Sequence, residues 1–313
     1  MQPFYTAARV PRRVAFDDHE RVIQLELRRR AERGDSMGSL DRDSALAGGD
    51  GRYTALLSED WRIWGPNGGY VAAIALRAAG AATRFRRPVS FHCHFLGVGS
   101  FGPADVRVAP MREARTADSL RVTLAQEGRT FLEAHVWTSD VRDGLAHDHA
   151  AAPDVPPPAA LRPFEALLTE AQRKRPSFPF WDNLEGRPTD WVPPEQWRPG
   201  APALRCWYRF RPDARFDDPF LDAARAPVLI DTLSWPAACR AHREDDNPWM
   251  APSLDLAARF HRAPPYGEWL LVDARADVAA EGVIGFSNRV FDESRRLVAS
   301  GGGQLLCRPR PPA

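Results

Sequence analysis

The sequence predicts an α+β chain of two strand–helix–four-strand units, each an antiparallel sheet wrapped round one central helix. Three observations predict it. A Gly- and Pro-rich loop, Trp64–Tyr70, runs into the segment Val71–Ala82, which is apolar nearly all round and broken only by Arg77. A helix without a polar face is a buried one, and this one is shorter than the roughly 20 apolar residues that a membrane span takes. Four extended stretches follow, Val89–Gly97, Ala104–Met111, Ser119–Gln126 and Thr130–Ser139. Gly, Pro and charged residues punctuate them, and two carry the period-2 alternation of a half-buried strand. The same order then recurs beyond residue 200.

Taken in order, residues 1–45 read as an N-terminal extension, expected to be poorly ordered. It is basic at Val10–Arg13 and of mixed charge over His19–Arg33, with no apolar core of a secretory signal. Met37 is a candidate natural start, the other reading being an N-terminal appendage. The first unit spans 46–140. Its first strand is Arg52–Ser58, and a meander after one buried helix is the plan of a hotdog fold. Residues 141–200 form a Pro-rich linker with one helical piece, Pro163–Arg173. Phe178, Phe180, Trp181, Trp191 and Trp197 are too many aromatics for a free tether, so it packs as it goes.

The second unit spans 201–313. Arg205–Arg211 is its first strand, Ala226–Arg240 its helix, kinked or divided at Pro236. Four strands follow over Ser253–Arg262, Glu268–Ala276, Gly282–Phe291 and Leu297–Cys307, with Asp292–Arg295 as a turn. The two units barely share sequence, so the repeat is one of architecture, a double hotdog.

The 313 residues allow two domains of ordinary size. A net charge of +1 with interspersed acids and bases excludes a nucleic-acid or anionic-membrane surface. The four cysteines form no Cys-x-x-Cys pair and no small disulfide framework, so a cytoplasmic, reducing location is expected. His92 and His94 share one face of a strand, but no third metal ligand stands at a recognisable spacing. His147 and His149 lie in a polar loop, and His261 reads as structural. No Gly-x-Ser-x-Gly elbow is present, which argues against an α/β-hydrolase mechanism.

Gly65–Tyr70 before the first helix, Leu254–Arg262, Glu268–Leu271 and Arg296–Ser300 resemble the acyl-CoA thioesterase II family, the double-hotdog thioesterases, over roughly residues 45–310. The resemblance implies hydrolysis of an acyl-CoA to free acid and CoA, with no metal or cofactor, and an assembly of more than one chain. It also implies a catalytic trio. Asp231 matches its Asp, and Ser253 its hydroxyl, counting back from Phe260–Arg262. The family's Gln position falls on Gly303 when aligned on Val298–Ser300, and the neighbouring Gln304 takes the role if a bulge in Gly301–Gly303 turns it inward.

On this reading Asp231, in the apolar run Ala226–Trp235, is costly to bury unless hydrogen-bonded. Burial raises its pKa toward the range of a general base. It takes a proton from a water that Ser253 and Gln304 hold. Asn67 caps the first helix, and Gly68, Gly69 and Tyr70 offer backbone amides to the thioester oxygen at a helix N-terminus. The alternatives are a double hotdog that binds acyl thioesters without hydrolysing them, and an enoyl-CoA hydratase. The hydratase pattern needs a His five residues after the Asp, where this chain has Pro236.

Overall fold

The computed structural model describes residues 37–174, 177–193, 196–242 and 247–310. Residues 1–36, and the expectation of low order for them, lie outside the described residues. The chain runs as a short helix α1 (Leu40–Asp43), strands β1 (Leu46–Gly49) and β2 (Arg52–Leu57), the helix α2 (Gly68–Ala81), and the meander β3 (Arg87–Phe95), β4 (Gly102–Glu113), β5 (Ala117–Gln126) and β6 (Arg129–Ser139). Two short helices follow, α3 (Phe164–Leu167) and α4 (Glu170–Arg173), then β7 (Leu184–Pro188) and β8 (Ala203–Phe210). The helices α5 (Pro219–Thr232) and α6 (Ser234–Cys239) precede β9 (Trp249–Met250), β10 (Asp255–Phe260), β11 (Leu270–Ala280), β12 (Val283–Asp292), β13 (Leu297–Leu306) and β14 (Arg308–Pro309).

Twelve strands make one sheet in the order β1-β2-β4-β5-β6-β3-β10-β13-β12-β11-β8-β7. The two units join edge to edge where β3 pairs antiparallel with β10, Cys93 opposite Leu256 and Phe91 opposite Ala258. Each unit thereby covers the other's open edge, which would otherwise present unpaired amides. The expected double hotdog is the fold observed.

Both central helices are fourteen residues long. Ten of the fourteen residues in α2 are buried, as its all-round apolar sequence requires. The helices pack against each other antiparallel, since the second residue of each lies against the thirteenth of the other. Gly69 donates its amide to Asp231, and Gly80 lies against the Phe220 ring. A methyl at Gly69 would stand 2.6 Å from the Val228 Cα, so the approach is available to glycine alone.

Four boundaries differ from the sequence reading. Residues 37–45 belong to the folded unit, because Leu40 packs in the core and Ser39 and Asp43 hold one another. The linker donates β7 to the sheet edge beside β8, and its helical piece is two single turns. The second helix begins at Pro219, seven residues earlier than expected, capped by the Asp218 carboxylate on the amides of Phe220 and Leu221. Its first turns look polar only because Asp222 and Arg225, both fully buried, pair with each other at 2.6 Å. The division falls at Leu233, and Pro236 sits in the first turn of α6, where its missing N–H costs no bond.

Candidate active site

The site forms where the C-terminal end of α5 meets the N-terminal end of α2. Asp231 occupies the next-to-last position of α5 and is 6% exposed. Its Oδ2 accepts the Gly69 amide at 2.8 Å, and its Oδ1 accepts the Ser253 hydroxyl at 2.6 Å. Burial pushes its pKa up, and the bonds from Ser253 and Gly69 push it down; burial wins, and the net direction is upward. The N-terminus of α2 adds a favourable partial positive charge beside the carboxylate.

The last turn of α5 is held rigidly. A helix leaves its final carbonyls without intrahelical partners. Here Asn288 Nδ2 donates to the Ile230 carbonyl at 2.6 Å and Ser234 Oγ to the Asp231 carbonyl at 2.5 Å. Thr232 Oγ1 donates to the Val228 carbonyl and accepts from Asn67 Nδ2, which ties the helix end to the opposite loop. Sequence reasoning passed over Asn288, Ser234 and Thr232. The signal for Asn288 was present, since it interrupts the inward series Ile284, Phe286, Val290 with a polar side chain.

Ser253 lies just before β10, bridged to Leu305 of β13. The structure thus brings Asp231, Ser253 and the Asn67–Gly69 turn together. It does not bring Gln304. Pairing of β13 with β12 runs without a register shift from Ala299 to Leu306, so no bulge in Gly301–Gly303 turns Gln304 inward. Pairing with β10 extends to Gly302, and the one-residue shift between there and the Ser253–Leu305 bridge falls on the β10 side. Gln304 is exposed, whereas Leu305 beside it is buried. The inward position next to Leu305 is Gly303, where a Cβ would stand 2.3 Å from the Asp255 carbonyl oxygen, so no side chain fits there.

The turn residues divide their tasks differently from expectation. Asn67 caps α2 through Oδ1, which accepts the Tyr70 amide at 2.9 Å. The Tyr70 ring stacks on Trp61 inside the first unit, and its hydroxyl bonds the carbonyl of Asp43. Tyr70 is therefore a core residue, and both its amide and that of Gly69 are already engaged. The Gly68 amide, at the first position of the helix, has no intrahelical acceptor; a Cβ at Gly68 would lie 2.9 Å from Asp231 Oδ2.

Cys93 is fully buried, and burial together with the charges of Asp231 and Asp255 pushes its thiol well up, which leaves it a neutral, unreactive group. His92 stands 3.5 Å from Asp255 at the exposed side of the sheet. Among the described residues no group of three or more His, Cys, Asp or Glu side chains is arranged to hold a metal ion. Nor is any helix among them long and apolar enough to cross a membrane.

The fold is shared with solved proteins. A conserved hot dog protein of unknown function from Alicyclobacillus acidocaldarius superposes with a TM-score of 0.73 at 19% identity, over 88% of this chain and 100% of its own. The acyl-CoA thioesterase II TesB2 of Mycobacterium marinum superposes with a TM-score of 0.69 at 22% identity, over 87% of this chain and 99% of its own. The family model for the acyl-CoA thioesterase N-terminal domain matches residues 57–139, and that for the acyl-CoA thioesterase C-terminal domain matches residues 150–304. The buried carboxylate between two hotdog units thus lies in a thioester hydrolase, and the chain belongs to the acyl-CoA thioesterase family.

Proposed function

We propose that the protein hydrolyses a fatty or related acyl-CoA to the free acid and CoA, with Asp231 as the general base that activates water. The observation that carries this is the geometry of Asp231: a carboxylate with raised pKa, one oxygen fixed by the helix amide of Gly69 and the other by the Ser253 hydroxyl. Each oxygen keeps a lone pair for a water proton. Ser253 Oγ, whose hydrogen is directed at Asp231, offers its own lone pairs to the same water. The water attacks the thioester carbonyl, and the Gly68 amide, with the dipole of α2, faces the oxygen on which negative charge develops. Expulsion of the CoA thiolate completes the reaction.

The acyl-CoA is the proposed substrate in preference to a carrier-protein thioester on family grounds alone. Cys93, Cys206 and Cys307 are free thiols, a state that fits the proposed cytoplasmic location, and an assembly of more than one chain is part of the proposal. The reading is tested by thiol release from acetyl-, hexanoyl- and lauroyl-CoA by the wild type and Asp231→Asn. Turnover abolished in the variant supports it. Saturable acyl-CoA binding without turnover in the wild type would replace it with the non-catalytic reading, for which the absence of an inward Gln is the supporting observation.

A further inference from the structure

A cavity of about 750 Å³ opens in the second unit between α6, the β9 region and the β11–β12 turn. Trp235, Cys239, Trp249, Ala280, Ile284 and Cys307 are among the residues that line it. Three chain segments lead to it from the catalytic pair. Trp235 is four residues beyond Asp231, in the first turn of α6 across the division at Leu233. Trp249 is four residues before Ser253. Cys307 is two residues beyond Leu305, the bridge partner of Ser253, or about 7 Å of extended strand. The cavity is thus lined by residues two to four positions along the chain from Asp231, Ser253 and Leu305.

We propose that this cavity receives the acyl group of the thioester, and that the group is bulky and apolar, long-chain or ring-bearing. The proposal rests on the thioesterase reading of the Asp231 site. The lining supports an acyl occupant over the CoA moiety. Among the described residues it contains no Lys or Arg to meet the phosphates, and Glu281 in the lining repels them. Two tryptophans and several small aliphatic side chains make most of the wall apolar, beside His242 and Asn247, and suit it to methylenes or a ring. The volume is about five times the ~150 Å³ that accommodates a benzene ring, far more than an acetyl group fills.

Two measurements test it. Ala280 is exposed at the end of β11, so Ala280→Trp narrows the cavity without entering the core. The expected result is a loss of tenfold or more in kcat/KM for lauroyl-CoA with acetyl-CoA changed less than twofold. An equal effect on both substrates, or none on lauroyl-CoA, overturns the proposal. The second measurement does not depend on turnover. Iodoacetamide labelling of Cys239 and Cys307, both half-buried in the wall, is followed with and without the thioether S-dodecyl-CoA. Protection of both by fivefold or more is expected, and unchanged labelling at saturating thioether overturns the proposal. If the wild type hydrolyses no thioester, the thioesterase reading fails and the labelling alone decides the cavity.

Discussion

The Gly69 amide donates at 2.8 Å to the Asp231 carboxylate, a bond that joins the central helix of one hotdog unit to the last turn of the central helix of the other. The base is thereby fixed from both halves of the chain at once. A carboxylate so placed is poised for catalysis and costly to the fold, and both sides of that balance can be measured.

Asp231→Asn removes the base and should lower kcat by about 10²–10⁴-fold, read as thiol release. Its effect on stability has the opposite sign. The folded-state pKa of Asp231 lies above its unfolded value, so the native state resists ionisation. The cost is absent below the unfolded pKa and is fully present once pH exceeds the folded pKa. The Asn variant should therefore melt at a higher temperature than the wild type at pH 8, with the difference shrinking as pH falls into the carboxylate range. A lower melting temperature at pH 8 would contradict this.

Ser253→Ala removes a hydrogen bond that favours the ionised carboxylate. The Asp231 pKa should rise further, moving the acid limb of the kcat/KM profile to higher pH, while kcat at its plateau drops tenfold or more. A profile that keeps its inflection while losing height would show that Ser253 acts without touching the base.

Gly69→Ala places a methyl 2.6 Å from the Val228 Cα and 2.8 Å from the Pro227 carbonyl. Backbone does not yield as a side chain does, so overpacking should cost about 1–3 kcal/mol, measured by urea denaturation with an unchanged m-value. Because the helices must part, the 2.8 Å bond to Asp231 lengthens, and activity should fall more than the stability loss alone accounts for.

Gln304→Ala should change kcat by less than twofold, since the side chain is exposed and makes no hydrogen bond to Asp231 or Ser253 in the structure. A loss of a hundredfold would mean that β13 shifts register when substrate binds.

The architecture was legible because its signals are local. An apolar run such as Val71–Ala82 can only be buried, and alternation in Phe131–Trp137 fixes a sheet face. What escaped depends on distant partners. Asp222 and Arg225 look like a solvated face and are instead a pair in the interior. Leu184–Pro188 carries Gly186 and Pro188, and becomes a strand only because β8 offers it an edge. In the site, Asp231 and Ser253 were found through resemblance and meet as expected in space. Tyr70 was drawn to the site by its neighbours in sequence, whereas its ring is held by Trp61 in the opposite direction. Gln304 shows how one residue decides a face: strand parity outweighed side-chain chemistry.

The antiparallel packing of α2 and α5 gives the two halves an approximate twofold relation with unequal contents. Position two of α2 is Gly69 and position thirteen of α5 is Asp231, a pair that makes a site. Exchanging the helices gives Phe220 and Gly80, where a Cβ would lie 2.4 Å from the aromatic ring. The mirror position has no carboxylate and is filled by a phenyl group. The two helix crossings thus differ in content, one holding a carboxylate and the other a phenyl ring. The molecule should count substrate accordingly, one S-dodecyl-CoA bound per chain at saturation in calorimetry, whatever number of chains assemble.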